Sequence, residues 1–243
     1  MAYRYDVDLE FLRELENEEL NDLFDVLTKD KNGNTRFTEV LTNNDLVKYK
    51  YPEHKEYIDL ILEELQFFGG NSIVNVFRGR KGVLYKEILC DVCDKLKVNY
   101  NKKASTQKIE ENLFAKILED YIHNLSPEDM KKIGEEFNVS FNTKSSLTAG
   151  LQAIMKAKGF ESYKLILIVT NAFWKFIFGR GLPIVANATL AKTLSVFLGP
   201  IGWTATGIWT AFDIASPAYR VTIPAVIQVA YLRQLLNQKK SVN

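Results

Sequence analysis

The chain of 243 residues is long enough for one large domain or two modest ones, and 47% hydrophobic with 25% charged residues is the composition of a chain that buries a core. Cys90 and Cys93 are the only cysteines, which excludes a disulfide framework and fits a reducing compartment. A net charge of +1 conceals an asymmetry: residues 1–144 hold 28 acidic and 21 basic side chains, a balance of −7, whereas 145–243 hold 2 and 10, a balance of +8.

That split predicts either electrostatic docking of one half on the other or a C-terminal half drawn to an anionic partner such as membrane lipid. Nucleic acid is disfavoured, because the ten cations of the second half are dispersed among apolar residues. The start, "MAYRYDVDLEFLREL", is charged from position 4 and has no apolar run or small-residue cleavage site, so a cytoplasmic protein is expected, peripheral to the inner membrane or conditionally inserted in it.

The period is helical along most of the chain. Two short helices are expected within the first 30 residues, the second capped by Asn17. In "PEHKEYIDLILEELQFFGG", Ile58, Ile61, Leu62, Leu65 and Phe68 share one stripe, Pro52 suits the first turn and Gly69 the stop. "GVLYKEILCDVCDKLKV" places Tyr85, Ile88, Leu89, Val92 and Leu96 on one face, and "STQKIEENLFAKILEDYIHNL" does the same with Leu113, Phe114, Ile117, Leu118, Tyr121 and Ile122. Ser126, Pro127 and Asp129 form a capping-box start for a further helix. The polar stretch "NVSFNTKSS", 138–146, is the candidate linker. The expected fold is all-α: an acidic amphipathic domain over 1–144, with 1–45 as a separate short module able to take a protein partner, and an apolar, basic helical region over 145–243.

Several motifs carry chemistry in other proteins and are weaker here. "TKDKNGNTRFTE", 28–39, has Asp30, Asn32, Gly33 and Glu39 at calcium-loop positions, but Thr28 replaces the first carboxylate and Arg36 adds a positive charge, which favours a polar interhelical turn. Cys90 and Cys93 have metal-ligand spacing, yet they fall inside an amphipathic helix, with His54 and His123 far off in sequence, so no metal site is expected. Arg78, Arg80 and Lys81, with Gly79 and Gly82, precede a helix start and form a candidate site for phosphate or a lipid headgroup. No nucleophile has an identifiable base beside it, which leaves no catalytic set and no cofactor to name.

"ELQFFGGNSIVNVFRGRKGVLYKEILCDVCDKL", 64–96, and "AYRVTIPAVIQVAYLR", 218–233, resemble the YaaW-like family of uncharacterised bacterial proteins, grouped loosely with ubiquinol-cytochrome c chaperones. The N-terminal "YRYDVDLEFLRELENEELNDLFDVLTKD" is similar to a short domain of unknown function found ahead of such proteins. The resemblance implies a helical bacterial protein and carries over no catalytic residues.

The run "TLSVFLGPIGWTATGIWTAF", 193–212, holds no charge and is as long as a membrane span, since twenty helical residues rise about 30 Å. Gly199, Pro200 and Gly202 break it into a hairpin of two short helices, and Gly207 and Ala211 lie on a small-residue stripe suited to helix packing. Trp203 and Trp209 are candidate interfacial anchors. Three function classes stay open: a conditionally membrane-inserting protein, forming an oligomeric pore; a chaperone-like or protein-binding module whose apolar half is its core; and an enzyme of unknown class.

Overall fold

The computed structural model describes residues 3–70, 82–182 and 218–242. Among them the fold is all-α, with no strand and one isolated antiparallel bridge between Lys29 and Thr35. In chain order of the described residues the helices are α1 (Asn17–Thr28), α2 (Asp45–Lys50), α3 (Ile58–Gly70), α4 (Tyr85–Lys95), α5 (Thr106–His123), α6 (Pro127–Glu136), α7 (Lys144–Ala157), α8 (Phe160–Phe178) and α9 (Tyr219–Val242). Short 3-10 turns at Glu10–Glu14, Leu41–Asn43 and His54–Tyr57 link the early ones.

Most helix starts follow their local chemistry. Ser126 Oγ accepts from Asp129 N at 3.1 Å, Pro127 is the first helical residue of α6, and Ser105 caps α5 through Lys108 N. Two expectations are corrected. Glu16, not Asn17, is the N-cap of α1: its backbone N–H donates to the Glu19 carboxylate at 2.9 Å, and the Asn17 amide is drawn away to Lys55 N and the Glu53 carboxylate. Pro52 stands ahead of α3 rather than in its first turn, because the His54–Tyr57 turn intervenes.

The predicted stripes face inward. Ile61, Leu62 and Leu65 of α3, Tyr85, Leu89 and Val92 of α4, and Leu113, Ile117 and Leu118 of α5 are all completely buried. One hydrophobic cluster joins these to α1, α7, α8 and α9. Of the stretch 138–146, residues 144–146 already belong to α7 and 138–143 form a turn anchored at Val139: Val139 N donates to Gly134 O at 2.8 Å, and Gly150 of α7 approaches Val139 closely enough that only a hydrogen fits at its Cα.

The described part of the apolar half supplies the interior. Leu165 to Trp174 of α8 and Val221 to Leu232 of α9 are buried throughout, and among the described residues no helix is long and apolar enough to cross a membrane. Ion pairs join the two halves, which is one of the two outcomes the asymmetry leaves open. Lys239 pairs with Glu19 and Lys240 with Glu14, each at 2.6 Å; Arg180 reaches Asp25 at 3.1 Å; and Arg233 meets Glu110 at 2.8 Å inside the core.

Candidate binding surface around residues 29–51

The anion-site cations Arg78, Arg80 and Lys81, and the hairpin residues Gly199, Gly202, Trp203, Gly207, Trp209 and Ala211, lie outside the described residues. The described residues present a different surface, built where α1 gives way to α2 and α3.

The loop after α1 closes on itself. Asp30 N donates to Asn34 O, Arg36 N donates to Thr28 O, and the Asp30 carboxylate accepts from Asn32 N at 2.8 Å and Asn34 N at 2.9 Å. Those N–H donors hold the Asp30 carboxyl below its ordinary pKa. Gly33, at φ +83°, takes the left-handed position that the tip requires. Glu39, the final residue of the calcium-like pattern, accepts instead from Thr42 N and the Thr42 hydroxyl. The Thr28 hydroxyl donates to Phe24 O. These side chains serve a polar interhelical turn, and among the described residues no group of three or more His, Cys, Asp or Glu is placed to hold a metal ion.

This turn exposes apolar side chains. Phe37 is 103% exposed, Tyr49 84%, Val40 62%, Tyr51 54% and Leu46 45%. The bundle beneath has Leu20, Leu23, Val26 and Leu27 of α1 completely buried, so apolar exposure concentrates on 37–51, with Tyr5, Val7 and Phe160 elsewhere. Sequence reading passes over these residues because no helical or alternating period marks them. The signal available was Phe37, an aromatic side chain in a loop that is otherwise polar from Lys29 to Glu39.

His54 supports the surface from below. Its ring lies 4.9 Å from Phe24 and 5.8 Å from Tyr51. Burial pushes its pKa down to about 4, so the ring is neutral at physiological pH. A neutral ring fits its neighbours: Nδ1 lies 2.7 Å from the Tyr57 hydroxyl, a donor, and Nε2 lies 2.6 Å from Asn21 Oδ1, an acceptor.

Two clefts of about 540 Å³ flank the loop. The first lies between α1, the loop and the end of α8, lined by Asp22, Asp25, Lys31, Tyr51, Trp174 and Arg180 among others. Burial pushes Asp22 up to about 6, and Arg180 only partly opposes it, since the guanidinium is 3.5 Å away and 47% exposed. The Trp174 indole N–H lies near Asp22 without a hydrogen bond of ordinary geometry. The second cleft lies between the loop and the facing ends of α8 and α9, with Arg36, Phe37, Ile177, Phe178, Arg220 and Val221 in its walls.

Elsewhere the chemistry is muted. Cys93 is buried, its thiol is pushed up to about 12 by that burial, and Cys90 is raised for the same reason, so neither is a ready nucleophile.

Comparison with known proteins places this architecture. Residues 3–37 match a domain of unknown function (DUF3944), and residues 53–227 match the ubiquinol-cytochrome C chaperone family. A UPF0174 protein of Helicobacter pylori strain J99 is 49% identical over all of this chain and 98% of its own length. One of H. pylori strain 26695 is 41% identical over 83% of the chain and 99% of its own length, and the Escherichia coli K12 UPF0174 protein YaaW is 34% identical over 97% of each. No solved structure matches. The chain therefore belongs to the UPF0174, YaaW-like family, within the wider ubiquinol-cytochrome C chaperone group.

Proposed function

We propose that the chain is a chaperone-like helical module that holds an apolar stretch of a client polypeptide on its 37–51 surface and performs no bond chemistry. The observation that carries this reading is the exposure of Phe37, Val40, Leu46, Tyr49 and Tyr51 within fifteen residues of one chain, beside a closed core. The chaperone name of the family matched over 53–227 supports the same class of activity. Aromatic side chains anchor such contacts, and each that becomes fully buried contributes about 1.5–3 kcal/mol.

Val40 and Tyr49 support nothing beneath them, so Val40→Ser/Tyr49→Ser is expected to keep the thermal midpoint. It should weaken binding of a fluorescent apolar model peptide by roughly 30-fold or more, on the basis of about 2–4 kcal/mol of lost burial. It should also lose suppression of aggregation of a heat-unfolded reporter enzyme. Unchanged binding in a folded variant sinks the reading. Association with liposomes of anionic lipid in place of the peptide would favour the membrane-associating alternative.

A further inference from the structure

The second cleft carries an inference that goes beyond client binding and does not rest on it. We propose that this cleft, between residues 30–38 and the facing ends of α8 and α9, is a binding site for a single-chain anionic amphiphile: an alkyl chain with a carboxylate or phosphate head.

The cleft is apolar on one side and carries a cationic excess on the other, where Lys31, Arg36 and Arg220 stand against the single carboxylate of Asp30. Ile177 and Val221 are buried in its floor, Phe178 is partly buried beside them, and Phe37 forms a lip that is fully solvated while nothing covers it. About 540 Å³ lies within the range of roughly 300–1,000 Å³ typical of small-molecule sites. An occupant with an apolar body would cover Phe37 and the floor together.

Arg36 fixes the sign of the head. It is half-buried, and its Nε donates to Val26 O at 3.2 Å, a neutral acceptor. Among the described residues it makes no ion pair: the Asp30 carboxylate acts on it from beyond contact distance and is itself held by Asn32 N and Asn34 N. A lysine left in this position can shed its proton, whereas a guanidinium stays charged. A half-buried guanidinium whose nearest carboxylate lies beyond contact distance is an arrangement that a bound anion improves. Lys31, at the rim, and Arg220, in the wall, add positive potential around the head.

The test uses the full chain and titration calorimetry with dodecanoate, dodecyl phosphate and dodecanol, each below its aggregation concentration. One saturable site for both anions is expected, with dodecanol at least 10-fold weaker. Arg36→Gln should erase the preference for the anions, Arg36→Lys should keep part of it, and Thr35→Trp, on the exposed side of the cleft, should weaken all three. Tyr49→Ser should leave dodecanoate binding unchanged, which separates this site from the client surface. Equal affinity of the native chain for dodecanol and dodecanoate overturns the proposal. So does wild-type affinity in a folded Thr35→Trp variant, or binding to anionic vesicles with none to monomeric dodecanoate.

Discussion

Arg233 donates from Nε to Glu110 Oε2 at 2.8 Å in the interior, joining two residues 123 positions apart, and the pair organises the buried polar network of the bundle. The second nitrogen of the guanidinium donates to Asp8 O at 2.7 Å, and the Phe11 ring lies 4.1 Å from Arg233 Cζ. The Tyr85 hydroxyl donates to Glu110 Oε1 at 2.8 Å, while Tyr85 N donates to Asp6. The Thr106 hydroxyl donates to Asp8 Oδ2 at 2.6 Å. Glu110 and Tyr85 are fully buried and Arg233 nearly so, and the shared bonds satisfy charges that would otherwise be costly there. The segment matched to the domain of unknown function is thereby fastened to α4, α5 and α9.

Breaking one side of this pair is expected to cost far more than removing both. Arg233→Met leaves the Glu110 carboxylate buried with Tyr85 as its remaining partner, and should lower unfolding stability by about 3–5 kcal/mol. Glu110→Leu strands the guanidinium and should cost a similar amount. The double variant should be no worse than the poorer single, giving a coupling of at least about 2 kcal/mol in a urea double-mutant cycle. Additive losses would show that the pair acts as two independent contacts.

Glu64 and His54 give buried contributions to the pH dependence of stability of opposite sign, and Asp22, raised to about 6, adds to the sign of Glu64. Glu64 is 2% exposed, and burial, reinforced by Glu39 and Glu63, pushes its pKa up from 4.5 to about 7. A raised folded pKa means that the native state binds the extra proton. Its contribution is complete below pH 4.5 and is lost as pH rises through 7. His54 is the reverse: burial pushes it from 6.5 down to about 4, so its contribution is present above 6.5 and is lost as pH falls through 4. From pH 8 to pH 5 the stability difference between the native chain and Glu64→Gln should therefore grow in favour of the native chain by about 2–3 kcal/mol. The difference from His54→Gln should shrink by about 2 kcal/mol over the same range. Denaturant titrations at pH 5, 6, 7 and 8 measure both, and a pH-independent difference for either variant refutes its assignment.

Residue by residue, what was legible in the sequence was what a local rule controls. The apolar stripes of α3, α4 and α5 repeat at the helical period, and Ser126 to Asp129 is a self-contained cap, so both could be read without the fold. The charge asymmetry left docking and an anionic partner both open and named no pairs, because Arg180 meets Asp25 and Lys239 meets Glu19 only after the chain has returned. Glu16 displaced Asn17 as the α1 cap for the same reason: the Asn17 side chain is claimed by residues 53 and 55, which a local window does not contain. The 37–51 surface and the Arg36 cleft were illegible because exposure of Phe37 and the lack of an ion pair at Arg36 among the described residues are properties of what fails to pack against them. No local pattern encodes a missing neighbour.

Gly150 decides whether the 138–143 turn behaves as a flexible connection or as part of the packed bundle. It lies within α7, where Gly→Ala at an open position stabilises a helix by about 1 kcal/mol. A Cβ there would stand 2.5 Å from Val139 Cγ1. Val139 has little room to yield, since it is β-branched and its backbone N–H is held by Gly134 O at 2.8 Å. Overpacking of this kind costs typically about 1–3 kcal/mol, which exceeds the gain in propensity. Gly150→Ala should therefore destabilise the chain by about 1–2 kcal/mol. Val139→Ala, which removes both γ-methyl groups, should restore the helix gain when combined with it, so that the double variant is more stable than Val139→Ala alone. A stabilising Gly150→Ala in the native background would mean that the turn gives way freely, and that α6 and α7 are joined loosely at this point.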